Sequence, residues 1–183
     1  MVNPRSGGEG TEELLEAARE RGIETRVLAD GDDLEAIARD ADTAALGMAG
    51  GDGSLGAVAQ ACVERGLPFV CVPFGTRNHF ARDVGLDRGD PLAALDAFGP
   101  DAEERRVDVG RVGGRVFLNN VSLGVYAGLV HERERRRRRR EAFARLKALG
   151  LLATTRHRAT ILLDGAPVDA PLVLVANNSY THA

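Results

Sequence analysis

The segment Gly50-Gly51-Asp52-Gly53-Ser54 separates a short apolar run, Thr43 to Met48, from a second run, Ser54 to Arg65, that stops at Gly66. The first run reads as a buried strand and the second as a helix, so the glycines form a strand-to-helix turn. Backbone without side chains bends sharply there, and the helix-start amides meet an anion at the favourable end of the helix dipole. A phosphate fits such a turn. The carboxylate of Asp52 repels a bare phosphate, which makes sense of its position if a divalent cation, Mg2+ by its preference for oxygen ligands, stands between them. The plainer reading is an ordinary turn with Ser54 as helix cap and Asp52 solvated. A second glycine-bearing turn, Pro73-Phe74-Gly75-Thr76-Arg77-Asn78, follows the apolar strand Leu67 to Val72, and the two turns together could wrap one nucleotide phosphate chain.

Helix and strand signals alternate as far as Pro100, which argues for a parallel sheet with crossover helices. Thr11 can cap a helix with Glu12 and Glu13 in its first turn and Gly22 at its end, and Ile23 to Leu28 follows as a strand. Asp32 or Asp33 starts the next helix, Asp90-Pro91 opens a later one, and Gly99-Pro100 stops it. Beyond Val107 the pattern changes to hairpins, with Gly113-Gly114 and Asp164-Gly165 as turns between alternating segments. The expected division is an α/β nucleotide-binding domain over 1–107 and a β-rich second domain over 108–183. Met1-Val2 reads as the remnant of a strand and the chain stops just after another, so a partial domain is expected.

The 183 residues, of which 44% are hydrophobic, suffice for a real core. No apolar leader opens the chain, and Pro171 to Ala176 falls far short of the ~20 residues that span a bilayer, so a soluble cytoplasmic protein is expected. Cys62 and Cys71, without CxxC spacing, read as buried reduced thiols rather than zinc ligands or a disulfide. The net charge of −3 hides a basic island: His131 to Lys147 holds nine Arg or Lys against three Glu. With Phe143, Leu146, Leu149, Leu151 and Leu152 at roughly helical spacing, this segment could be a solvated face or lie on anionic lipid. Nucleic acid is disfavoured, because stacking aromatics are absent from the run.

Five motifs in order, Asn3-Pro4-Arg5-Ser6-Gly7-Gly8, the GGDGS turn, Pro73 to Leu86, Val107-Asp108-Val109-Gly110 and Asn119-Asn120-Val121-Ser122-Leu123-Gly124, resemble the diacylglycerol kinase catalytic family. The chain is similar also to sphingosine kinases and more distantly to NAD kinases. The resemblance implies a Rossmann-like three-layer α/β nucleotide-binding domain followed by a β-sandwich domain, here incomplete. It implies an ATP-dependent lipid kinase that transfers the γ-phosphoryl group to a hydroxyl of a diacylglycerol-like or sphingoid lipid. ATP is expected against Asn3, Arg5, Ser6 and Gly7, against Gly50, Gly51, Asp52, Gly53 and Ser54, and against Thr76 and Asn78. Asp52 and Asp108 match acidic positions that the family links through water to the catalytic Mg2+. A lipid alcohol as substrate, peripheral contact with a membrane surface and an open question of homodimerisation complete the expected partners.

Two departures qualify that expectation. Many members have Asn-Asp where this chain has Asn78-His79, so a third acidic partner of the metal network is missing; His79 could replace it in part, or Asp83 one helical turn on could reach inward. The family's general base belongs to a later Asp-Gly motif beyond a glycine triplet, and Asp164-Gly165, set between two apolar strands, reads instead as a hairpin turn. No residue present is assigned as base. The alternatives are a nucleotide-binding module without catalysis and NAD kinase, although Pro73 to Asn78 fits the lipid-kinase pattern better. In a full-length enzyme Asp52→Asn is expected to abolish phosphate transfer from ATP to lipid while leaving folding intact.

Overall fold

The computed structural model describes residues 1–7, 10–124, 159–170 and 172–177, so the basic island at 131–147 lies outside the described residues. Two parallel strands, β1 (Leu46–Gly50) and β2 (Phe69–Pro73), pair with Leu46 opposite Phe69 and Gly50 opposite Pro73. Val2 bridges in parallel to both Ala49 and Val27. The strand expected over Ile23 to Leu28 is therefore reduced to that bridge: its ladder consists of Val2 N–H to the Arg26 carbonyl and Leu28 N–H to the Val2 carbonyl, 2.8 and 2.9 Å, too few bonds to sustain a strand.

Both faces of this sheet are apolar, as expected for parallel strands covered on each side. Side chains alternate across a strand, so Leu46, Met48 and Cys71 join one buried cluster while Ala49, Val70 and Val72 join another. The first cluster receives α3 (Leu34–Asp40) and α4 (Asp52–Arg65) through Ala38, Leu55, Val58, Ala59 and Cys62. The second receives α2 (Thr11–Glu20) through Leu14, Ala17 and Ala18, and Leu95 of a 3-10 helix, Ala93–Phe98. A short α1 (Pro4–Gly7) precedes them and α5 (His79–Asp83) follows β2.

Local capping explains some of the element boundaries. Asp33 caps α3 by accepting the Ala36 N–H at 3.1 Å, and Gly66, in the left-handed region at φ 67, closes α4. Asp90 accepts the Ala93 N–H at 2.9 Å, but the turn it starts is 3-10 rather than α. Thr11 is the first residue inside α2, not its cap; that place falls to Gly10, which has no side chain to offer.

The antiparallel hairpin of β3 (Gly110–Val112) and β4 (Arg115–Phe117) turns on Gly113 and Gly114, both at positive φ (54 and 80) as a two-residue hairpin turn requires. It packs on α4: Val116 and Leu118 are buried in the α3–α4 cluster. Gln60 of α4, only 6% exposed, accepts the Val116 N–H at 2.6 Å and donates to Glu64 at 2.5 Å. By its contacts the chain divides into Met1–Asn119 and Asn120–Ala183, so this hairpin goes with the first unit, although the sequence pattern changes already at Val107.

In the second unit β5 (Asn120–Gly124) pairs antiparallel with β8 (Leu172–Ala176), and β6 (Ala159–Leu163) with β7 (Ala166–Ala170). Asp164 and Gly165 form the β6–β7 turn at φ 51 and 84, the hairpin geometry their setting implied. The fold is mixed α/β, and among the described residues no helix is long and apolar enough to cross a membrane.

Replacing Gln60 with Leu leaves the buried Val116 amide without an acceptor. Urea unfolding should show a loss of about 1–3 kcal/mol at an unchanged denaturant slope; a variant as stable as the parent would contradict this role.

Candidate functional site: two interlocked glycine turns

Because Gly50 and Pro73 lie opposite one another, the turns that follow β1 and β2 leave the sheet side by side at the carboxyl ends of the strands, where open α/β sheets place their ligands. The turns are joined by one carboxylate. Asp52, first residue of α4, accepts the His79 N–H on Oδ2 at 3.1 Å and the Phe80 N–H on Oδ1 at 3.1 Å. It thereby caps α5, a helix 27 residues further along the chain. The residue that precedes α5 cannot do so. Asn78, left-handed at φ 47 and 3% exposed, uses its amide to close its own turn, accepting from Gly75 N–H at 2.9 Å and donating to the Gly75 carbonyl at 2.8 Å.

A third donor to Asp52 comes from Asn119, whose Nδ2 lies 3.0 Å from Oδ1. All three bonds run to an ionisable acceptor, the stronger class of protein hydrogen bond. Asp52→Asn would therefore weaken the framework as well as the site, because an asparagine keeps one oxygen and turns an NH2 group toward an amide donor. The helix also starts at Asp52 rather than Ser54, which places the carboxylate inside the first turn instead of ahead of it.

Backbone packing completes the interlock. A Cβ on Gly75 would stand 2.5 Å from the Gly51 Cα and 3.0 Å from its nitrogen, so only glycine permits the two turns to touch. A Cβ on Gly7 would run into the Phe74 ring, which seats the amino-terminal segment on the second turn. Asn3 ties that segment to the first turn: its N–H donates to the Ala49 carbonyl at 2.9 Å and its Nδ2 to Ser54 Oγ at 3.2 Å. Asn3 Oδ1 accepts the Arg5 N–H at 3.1 Å, and the Asn3 carbonyl accepts the Ser6 N–H at 3.1 Å.

The structure thus brings together Asn3, Ser6, Gly7, Gly50 to Ser54 and Asn78. Gly53 faces open space, with nothing within 4 Å of the Cβ position. Thr76 is exposed beside them in sequence. Arg5 is exposed and forms an ion pair with Asp30. Asp108 lies in the exposed stretch before β3. His79 contributes its backbone N–H to Asp52.

Burial holds both thiols protonated. Cys71, on the strand that leads into the second turn, is pushed up to about 12 by desolvation and then by the negative charge of Asp52; Cys62 rises to about 11 through desolvation, moderated by Arg65. Among the described residues no group of three or more His, Cys, Asp or Glu could hold a metal ion directly. The acceptors left near Asp52 are of another kind. Asp52 Oδ2 has one donor, and Asn119 Oδ1 is buried with no partner among the described residues. Asn119 stood in a sequence motif without an assigned role, and only its contact with Asp52 reveals one.

Comparison with known proteins decides the family. The model of the diacylglycerol kinase catalytic domain matches residues 1–112. The chain belongs to this family. A "Probable lipid kinase YegS-like" of Pseudomonas aeruginosa is 37% identical over 127 residues, 66% of this chain and 41% of that protein. "Diacylglycerol kinase" of Bacillus subtilis is 34% identical over 86 residues, 46% of this chain and 28% of that protein. A crystal structure of a diacylglycerol kinase from Bacillus anthracis str. Sterne superposes with a TM-score of 0.64 at 22% identity, covering 98% of this chain and 63% of that one, and so shares the fold. The matched part of the chain thus spans less than half the length of these curated relatives.

Asp52→Asn should cost about 1–3 kcal/mol of stability through the cap of α5, a loss readable as a lower urea midpoint. A midpoint equal to the parent's would remove Asp52 from the framework.

Proposed function

We propose that the chain is the nucleotide-binding part of an ATP-dependent lipid kinase, which transfers the γ-phosphoryl group to a hydroxyl of a diacylglycerol-like or sphingoid lipid. The observation that carries this reading is the pair of glycine turns locked together by Asp52, with the start of α4 open to solvent at Gly53. Amides at the start of a fourteen-residue helix favour a phosphate, and the rigid turns hold them in place before it arrives. The names of the relatives, lipid kinase and diacylglycerol kinase, support the reaction class.

In this reading Gly50 to Ser54 and Thr76 line the phosphates, buried Asn78 holds the second turn in shape behind them, and Asn3, Arg5, Ser6 and Gly7 flank the nucleotide. The residues present suit Mg2+ held through water rather than by direct ligation: Asp52 Oδ2 and the buried Asn119 Oδ1 are acceptors for water hydrogens, and Asp108 is the proposed second acidic partner. The bound cation would neutralise charge on the phosphates during transfer. The first unit would then be the three-layer nucleotide domain and the strands after it part of a β-sandwich. The basic segment 131–147 suits an anionic membrane surface met from the cytoplasm.

A second reading, a nucleotide-binding module that does not catalyse, is favoured by one observation: Asp164-Gly165 forms the β6–β7 hairpin turn, a structural setting rather than that of a general base. Incubation of a lipid panel with labelled ATP and Mg2+ separates the two. Labelled lipid supports the kinase, and ATP binding without labelled lipid supports the module.

Gly53→Glu tests the cradle without disturbing the fold, since its side chain enters open space. It should unfold like the parent yet bind ATP at least about tenfold more weakly, because a fixed carboxylate then faces the phosphates. Unchanged ATP affinity would place the nucleotide elsewhere.

A further inference from the structure

We propose that Asn119 is a positioning residue for metal-nucleotide binding: its amide nitrogen fixes the Asp52 carboxylate, and its carbonyl oxygen accepts a hydrogen from water bound to a divalent cation. This rests on the nucleotide-binding reading above and adds to it a residue with two separate duties.

The orientation of the Asn119 amide follows from its neighbour. Asp52 Oδ1 can only accept, so the group facing it at 3.0 Å must be the NH2; the flipped amide would set two acceptors against each other. The carbonyl oxygen then points away from Asp52, buried and without a partner among the described residues. Buried carbonyl groups nearly always find a donor, and those that lack one in the protein itself mark places where water or a ligand supplies it. The nearby amides of His79 and Phe80 are not available, because Asp52 already takes both.

The backbone has little freedom to carry Asn119 to another partner. Leu118 is buried in the α3–α4 cluster, and Val116 is held to Gln60 by its N–H at 2.6 Å. The two acceptors without a full complement, Asn119 Oδ1 and the second lone pair of Asp52 Oδ2, therefore belong to adjacent side chains on a fixed framework. Water coordinated to a cation is a strong donor and has two hydrogens to give, which matches an acceptor set that is anionic on one side and neutral on the other.

The test compares ATP binding by the chain in the presence of Mg2+ and in excess EDTA. The ratio of the two dissociation constants is the gain due to metal. Asn119→Leu, close in volume, should reduce that gain about tenfold beyond any change in the EDTA value, the size expected for one lost hydrogen bond to a charged group. Asn119→Ala should behave alike. A purely structural Asn119 would shift both constants together and leave the ratio as in the parent, which would overturn the proposal.

The unaltered chain provides a measurement independent of variant folding. The side-chain carbonyl and NH2 resonances of Asn119 should move on addition of Mg2+ and ATP and stay in place with ATP and EDTA. Equal movement in both conditions, or none in either while ATP binds, would also overturn the proposal. If the unaltered chain binds no ATP under any condition, the nucleotide-binding reading itself fails and this inference with it.

Discussion

The Asp52 carboxylate holds together parts of the chain that local structure would leave apart. It begins one helix, caps another, and accepts the amide of a residue that follows the β3–β4 hairpin, with donors at 3.0–3.1 Å. The contact between Gly51 and Gly75, the seating of Gly7 on Phe74 and the bond from Asn3 to Ser54 all presuppose that the two turns are held at this distance. An acidic residue is well suited to the task, because a carboxylate accepts in several directions at once and strengthens each bond by its charge.

The same bonds change how an anion would experience the turn. As a bare sequence motif, an aspartate between glycines looks hostile to phosphate. Here three N–H dipoles point at the carboxylate and spread its charge, while the open side of the helix start lies at Gly53. The repulsion is moderated before any cation arrives. The positive end of α4 would then be left to act on a phosphate.

Elements whose signal is local were legible in the sequence. The apolar runs leading to Gly50 and Pro73, the helix closed by Gly66 and the hairpin turns at Gly113-Gly114 and Asp164-Gly165 each depend on residues within a few positions of one another. The glycine turns were legible for the same reason. What escaped were partnerships across long sequence separation: Asp52 with Phe80, 28 residues apart, Gln60 with Val116, 56 apart, and Asp52 with Asn119, 67 apart. No periodicity encodes which side chain meets which amide after folding. The segment around Val27 fell short of a strand for a related reason, since a strand needs a partner ladder as well as the right residues. The Arg5–Asp30 ion pair, 25 residues apart, is another partnership without a local sequence signal.

If the two turns are one unit, they must respond to nucleotide as one. An amide NMR titration of the chain with ATP and Mg2+ follows Gly50 to Ser54 and Gly75 to Phe80 separately. The account predicts that both sets of resonances shift together and fit a single dissociation constant. Two different constants, movement of one turn alone, or shifts confined to residues outside both turns would contradict it.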